Sequence, residues 1–139
     1  MTFQPETNNL NRRYVLIVDD DHAVRELFSR ALRQTGAEVA EAVDGIAALK
    51  LVSGRVPDVV VTDVTMPRLD GIEFTRRLRR NARTKDVPII VVSGHAASGT
   101  IAEEARQAGC DAVLAKPCSI ETLLSVVNNK SVDRLAAHQ

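Results

Sequence analysis

The sequence predicts an α/β fold, a doubly wound parallel sheet of five strands and five helices. Three observations carry that prediction. Strand-like and helix-like segments alternate five times along the 139 residues, which places a parallel sheet between two layers of helices. The strand-like segments are mostly short, unbroken apolar runs, as strands covered on both faces must be. Three of these runs end in a residue that carries chemistry. Val15-Leu16-Ile17-Val18 runs into Asp19-Asp20, Val59-Val60-Val61-Thr62 into Asp63, and Val113-Leu114-Ala115 into Lys116-Pro117. Parallel crossovers bring every strand's carboxyl end to one edge of the sheet, where ligands of such folds bind.

The elements follow in order. Residues 1–12 are polar and aperiodic and read as a flexible arm. Tyr14 to Val18 is the first strand. Val24, Leu27, Phe28, Ala31 and Leu32 then recur at helical spacing and predict one buried face, with Asp21 as N-cap and Gly36 as stop. Glu38 to Ala42 is a weakly marked second strand. Asp44-Gly45 turns into a helix from Ile46 to about Val52 that Gly54 ends. The third strand, Val59 to Thr62, leads to Asp63 and then to a helix from about Gly71 to Asn81 with Ile72, Thr75 and Leu78 inward. Pro88 opens the strand Ile89 to Val92. Thr100-Ile101-Ala102-Glu103 fits a capping box for a helix that stops at Gly109. Val113 to Ala115 is the last strand. Ser119 caps a final helix with Ile120, Leu123, Leu124 and Val127 inward, and residues 131–139 are its end or a C-terminal tail.

Composition bounds the function. Hydrophobic residues make up 45% and charged residues 26%, with 18 basic and 18 acidic side chains; this is a globular chain with an aliphatic core. A formal net charge of zero supplies no global field toward nucleic acid. No apolar run approaches the roughly 20 residues of a membrane span, and the N-terminus lacks a signal-peptide layout. The expectation is a cytoplasmic protein that contacts neither nucleic acid nor membrane directly. Cys110 and Cys118 have no metal-ligand spacing and read as small buried hydrophobes in a reducing compartment, with a redox switch as the alternative. Arg76, Arg77, Arg79, Arg80, Arg83 and Lys85 read as the solvated face and end of the third helix, where the helix dipole favours cations.

Asp19, Asp20 and Asp63 close together would repel one another and disfavour their own ionisation. A hard divalent cation resolves the conflict, because Mg²⁺ takes oxygen ligands and keeps several waters. Three carboxylates contribute −3; Mg²⁺ and Lys116 contribute +3. A neutralised site of this kind can accept a phosphoryl group. Asp63 needs no base to act as a nucleophile, since a carboxylate is already anionic at neutral pH. The hydroxyl of Ser93, at the end of the fourth strand, can donate to a phosphoryl oxygen.

These residues resemble a family. Val15 to Asp21, Asp63-Val64-Thr65-Met66-Pro67 with Asp70-Gly71, Val92-Ser93-Gly94 and Ala115-Lys116-Pro117 together resemble the receiver domain of bacterial two-component response regulators. Each motif alone is weak, but all four in order make a specific signature over nearly the whole chain, with the receiver domain at 13–130. The resemblance implies a flavodoxin-like strand order, 2-1-3-4-5. It implies that Asp63 takes a phosphoryl group from a phosphohistidine on a histidine kinase or a histidine phosphotransfer protein. Asp20 and Asp63 would bind Mg²⁺ (or Mn²⁺), Asp19 largely through water and Thr65 through its backbone carbonyl. Ser93 and Lys116 would hold the phosphoryl oxygens, and the Lys116-Pro117 bond looks like the family's cis peptide. Thr65 and His95, two residues past Asp63 and Ser93, are implied to influence how long the phosphoryl group lasts.

Val113 departs from the pattern, since many receivers carry Tyr or Phe there as a switch; Cys118 stands where Phe is common. Three rivals compete. A haloacid-dehalogenase-like aspartyl-phosphate phosphatase wants a second acid where Thr65 stands. A flavin carrier wants a Ser/Thr/Gly phosphate loop where Asp19-Asp20-Asp21-His22 stands. A receiver-like scaffold working without phosphorylation would not need the acid-lysine-serine set. Little chain remains after the last helix, so the sequence reads either as a single-domain regulator or as the receiver piece of a longer one. The natural output surface is about Thr100 to Asn129, serving a downstream protein target or a phosphorylation-dependent homodimer.

Overall fold

A computed structural model describes residues 10–94 and 99–137, with side chains through residue 131. The strands are β1 (Tyr14–Val18), β2 (Glu38–Ala42), β3 (Val59–Asp63), β4 (Ile89–Ser93) and β5 (Ala112–Ala115). The helices are α1 (His22–Gln34), α2 (Gly45–Gly54), α3 (Gly71–Arg80), α4 (Thr100–Ala108) and α5 (Ile120–Ala137). The sheet runs β2-β1-β3-β4-β5 with every neighbouring pair parallel. This is the doubly wound arrangement that the sequence predicts, in the strand order that the resemblance implies.

Strand geometry divides the core into two layers, because successive side chains face opposite sides. Val15, Ile17, Val59, Val61, Ile90 and Val92 pack with Phe28 and Leu32 of α1 and Leu123 and Val127 of α5. Leu16, Val18, Val60, Ile89 and Val91 pack with Val52, Ile72, Phe74, Leu78, Ala105 and Ala108 from α2, α3 and α4. Each fully buried aliphatic side chain contributes about 1.5–3 kcal/mol, so a core with almost no aromatics is sufficient. Among the described residues no helix is long and apolar enough to cross a membrane. Cys110 and Cys118 are free thiols at the margins of the two layers, half-buried rather than fully buried.

Helix starts follow their caps. Asp21 accepts from the amides of Ala23 and Val24, Asp44 from Ala47, Asp70 from Glu73, and Ser119 from Thr122. The capping box at Thr100 does not form as predicted. The N-cap of α4 is Gly99, in the left-handed region at φ 76°, and no side chain caps it. Glycine takes that conformation without penalty, which makes Thr100 the first helical residue and puts its hydroxyl one position too late.

Three further expectations are corrected. Leu27 is 53% exposed, because the buried side of α1 holds Phe28, Ser29 and Leu32 and Leu27 lies on the far side of that stripe. Leu10, which the polar composition around it assigns to the arm, is 1% exposed. Its amide donates to the Thr35 carbonyl, and its side chain joins the α1/α5 layer. Arg79 is not part of a solvated face. Arg76, Arg77 and Arg80 gather around Glu73, but Arg79 turns under the amino-terminal edge of the sheet. Its guanidinium donates to the carbonyls of Gly109 (2.9 Å), Thr84 (3.3 Å) and Val87 (2.8 Å) and to Asp111 Oδ2 (2.9 Å). Asp111 Oδ2 also accepts the Ile89 amide at the start of β4.

This staple lies at the edge opposite the acidic strand ends and ties the segments leaving α3 and α4. Arg79→Met removes the guanidinium donor from the Gly109 and Val87 carbonyls and the charge partner of Asp111, and is expected to cost about 1–3 kcal/mol in urea unfolding. Divalent-cation binding should be unchanged; a variant as stable as wild type would show the staple to be idle.

Candidate functional site

The acids and the lysine meet. Asp19 and Asp20 leave β1 and Asp63 ends β3, its neighbour. Oxygens of the three carboxylates lie within 4.8 Å of one another. Lys116 follows β5, two strand spacings from β3, or about 10 Å. A side chain must be long to bridge that gap, and Lys116 does so: its Nζ lies 2.8 Å from Asp19 Oδ2 and 3.4 Å from Asp63 Oδ2. The small Ser93 ends the intervening strand. It is 1% exposed, and its carbonyl accepts the Lys116 amide at 2.9 Å.

Each acid is held differently. Asp19 is buried and both its oxygens are engaged, Oδ1 by the Asp21 amide and Oδ2 by Lys116. Asp20 is exposed. Asp63 is 11% exposed, and its Oδ1 accepts the Val64 amide at 2.8 Å. Burial pushes the Asp63 carboxyl above its ordinary value and the charge of Asp19 pushes it further, against the pull of Lys116 and the Val64 amide. Burial works to lower Lys116, but Asp19 and Asp63 outweigh it and the amine is raised. One ammonium therefore faces three carboxylates, a surplus of negative charge in an all-oxygen donor set. That chemistry fits a hard divalent cation.

The other predicted residues fall as follows. Thr65 is exposed on the loop between β3 and α3. Val113 is half-buried on β5, beside Val91 and against the α2–α4 layer. The Lys116-Pro117 peptide is cis. His95 lies outside the described residues.

Sequence reasoning missed several supports. Arg25 donates from Nη1 to the Asp19 carbonyl at 2.8 Å and lies 3.6 Å from Glu41, with only 13% of its side chain exposed. A cation one turn into a helix opposes the dipole, and that was the readable signal. Thr62, fully buried, donates its hydroxyl to the Asp63 carbonyl at 2.9 Å. Gly71 sits so close beneath Asp63 that a β-carbon there would lie 1.9 Å from the Asp63 carbonyl oxygen.

Two outcomes follow. A carboxyl raised in the fold binds protons more tightly folded than unfolded, so its charge costs stability once pH exceeds the unfolded value near 3.8. With divalent cations chelated, Asp63→Asn should therefore be more stable than wild type at pH 7, with the advantage fading as pH falls toward 3 in denaturant titrations. Gly71→Ala must displace the Asp63 backbone; we expect a loss of at least about 3 kcal/mol together with a weakened cation site, seen by calorimetry.

Comparisons with known proteins agree with this geometry. A sequence model of the response regulator receiver domain matches residues 15–128. The response regulator MprA of Mycobacterium sp. (strain KMS) is 44% identical over 113 residues, 80% of this chain and 47% of that protein. The chain thus spans about half the length of the curated relatives it matches. Among solved structures, the chemotaxis protein CheY4 of Vibrio cholerae superposes with a TM-score of 0.81 at 33% identity, covering 85% of this chain and 98% of that one. The receiver domain of the Francisella response regulator 1452 does so with a TM-score of 0.79 at 32% identity, covering 88% and 98%. Sequence, fold and acidic edge agree, and the chain belongs to the response regulator receiver domain family.

Proposed function

We propose that this chain is a phosphoacceptor switch in which Asp63 takes a phosphoryl group from a phosphohistidine of a histidine kinase or a histidine phosphotransfer protein. The observation that carries the reading is the convergence of Asp19, Asp20, Asp63 and Lys116 on one sheet edge. In the transfer, an Asp63 carboxylate oxygen attacks phosphorus in line, the P–O bond forms as the P–N bond breaks, and the imidazole keeps the electron pair. Lys116 is placed to follow the transferring oxygens, since it already spans from β5 to Asp63, and the Ser93 hydroxyl donates to another of them. Mg²⁺ (or Mn²⁺), held by Asp20, Asp63 and the Thr65 carbonyl with Asp19 acting through water, would supply the charge that lets an anion approach three acids. Thr65 and His95 influence how long the acyl phosphate lasts.

Output belongs to the face formed by α4, β5 and α5, about Thr100 to Asn129, which receives a downstream protein or a second copy of the chain. The bond between the Lys116 amide and the Ser93 carbonyl supports this, because it joins the site to the start of that face. Val113 leaves no aromatic ring to rotate at its position, so the change runs through other side chains of that face. The phosphodonors of this chemistry are cytoplasmic, and the chain works there.

Acetyl phosphate with Mg²⁺ should give a base-labile phosphoryl adduct by mass spectrometry. Asp63→Asn should abolish it, and Asp20→Asn should lower Mg²⁺ affinity by more than about tenfold. Lys116→Ala should retain the adduct but blunt the conformational response. An adduct that survives loss of Asp63, or turnover of unrelated phosphate esters, would instead mark a phosphatase; no adduct at all would mark a scaffold.

A further inference from the structure

Nothing in the phosphoacceptor reading uses Asp44 or Arg68, yet the two form an unusual pair. Arg68 stands in the loop that leaves Asp63 and turns into α3. Its φ is 70°, in the left-handed region where a β-carbon is disfavoured and glycine or asparagine is the ordinary choice. What arginine brings there is its guanidinium. Nε donates to Asp44 Oδ2 at 2.8 Å, and Nη2 donates to the same oxygen. The Asp44 side chain is only 3% exposed, and its Oδ1 caps α2 through the Ala47 amide at 2.9 Å. One buried carboxylate is thus shared between the first turn of α2 and the loop.

A second, independent contact lies beside it. The Gly45 amide donates to the Leu69 carbonyl at 3.3 Å, and a β-carbon at Gly45 would lie 2.8 Å from that oxygen. Backbone meets backbone, and only glycine permits it. The buried side chains Val64, Met66 and Leu69 anchor the inner side of the loop, while Thr65, Pro67 and Arg68 face outward. The loop's first amide, Val64, is bonded to the Asp63 carboxylate itself. Asp44 follows β2 and the loop follows β3, the two strands that flank β1. The pair therefore brackets the strand end from which Asp19 and Asp20 emerge.

We propose that Arg68 is a positioning residue for the cation site: strapped to Asp44, it fixes the loop that orients Asp63 and presents the Thr65 carbonyl, and so sets the affinity of the acidic cluster for Mg²⁺. The inference rests on the cation-site reading above. A strap of this kind acts at one remove from the ligands, where losing a supporting partner costs at least about tenfold in metal affinity.

Two variants attack the strap from opposite ends. Arg68→Gly removes the guanidinium while suiting the left-handed backbone, so any loss is not one of strain. Asp44→Asn keeps an oxygen to cap Ala47 and removes the charge that holds Arg68. Calorimetric titration of the full chain with Mg²⁺ alone should show each variant about tenfold weaker, and the double variant no weaker than the worse single one. Amide hydrogen exchange across residues 64–70 should quicken in both. Thermal unfolding separates a merely structural role. Arg68→Gly strands a buried carboxylate, so adding Asp44→Asn should recover stability without recovering Mg²⁺ affinity. If wild type binds Mg²⁺ and all three variants bind it within twofold, the strap is overturned and the cation site stands. If wild type does not bind Mg²⁺ at all, the cation reading itself fails, and the strap with it.

Discussion

Three carboxylates held within 4.8 Å of one another are the constraint around which the rest of this molecule is arranged. At an effective dielectric near 20, two like charges about 4 Å apart repel by roughly 4 kcal/mol. A domain of this size is stable by about 5–15 kcal/mol altogether. A cluster of this kind is therefore a large fraction of what folding can spare. Lys116 relieves part of it and cannot relieve all of it, being one charge against three. The two apolar layers are what tolerate the remainder. They meet along strands that are buried on both faces, and every one of those strands points its carboxyl end at the cluster.

That edge gains from a second consequence of the topology. In a parallel alternating fold each helix begins where a strand ends, so the amino termini of the helices gather at the acidic edge. Their unpaired amides and dipoles carry partial positive charge there. Asp21, Asp44 and Asp70 are spent on capping them, which keeps these acids out of the cluster. The opposite edge gathers carbonyls instead, and Arg79 donates to three of them. The two edges do different tasks with the same residue types: carboxylates concentrate where a cation is wanted, and a guanidinium where loops must be tied.

This division explains what could be read from the sequence. Strands buried on both faces leave unbroken apolar runs, and residues with chemistry at their ends stand out against that background, so the fold and the four converging side chains were legible. The supports were not. Arg79 is one of six basic residues between 76 and 85, and periodicity cannot say which of them turns inward. Leu27 belongs to an apolar stripe wider than the contact it makes, so the pattern could not decide which side of the stripe faces the sheet. Thr100 and Glu103 have the spacing of a capping box, but a left-handed Gly99 takes the cap. Arg68 carries no signal at all, because a positive φ in arginine leaves no trace in composition or spacing. Its partner Asp44 reads simply as a cap. Local rules locate elements and strand ends; tertiary contacts decide how loops are held.

The causes acting on Asp63 bear on the proposed cation site. Burial is the larger reason its carboxyl is raised, and the charge of Asp19 is the lesser. Neutralising Asp19 from a distance would leave the larger cause untouched. On the proposed reading, a cation lying against Asp63 would offset both causes. Asp19 is poorly suited to join it directly, since the Asp21 amide and Lys116 already occupy its two oxygens. Asp20, the exposed member of the cluster, has no such restriction of access. On the proposed reading the acids divide into roles, Asp63 and Asp20 toward the cation and Asp19 toward the lysine, which lies extended from β5 to Asp19 and Asp63.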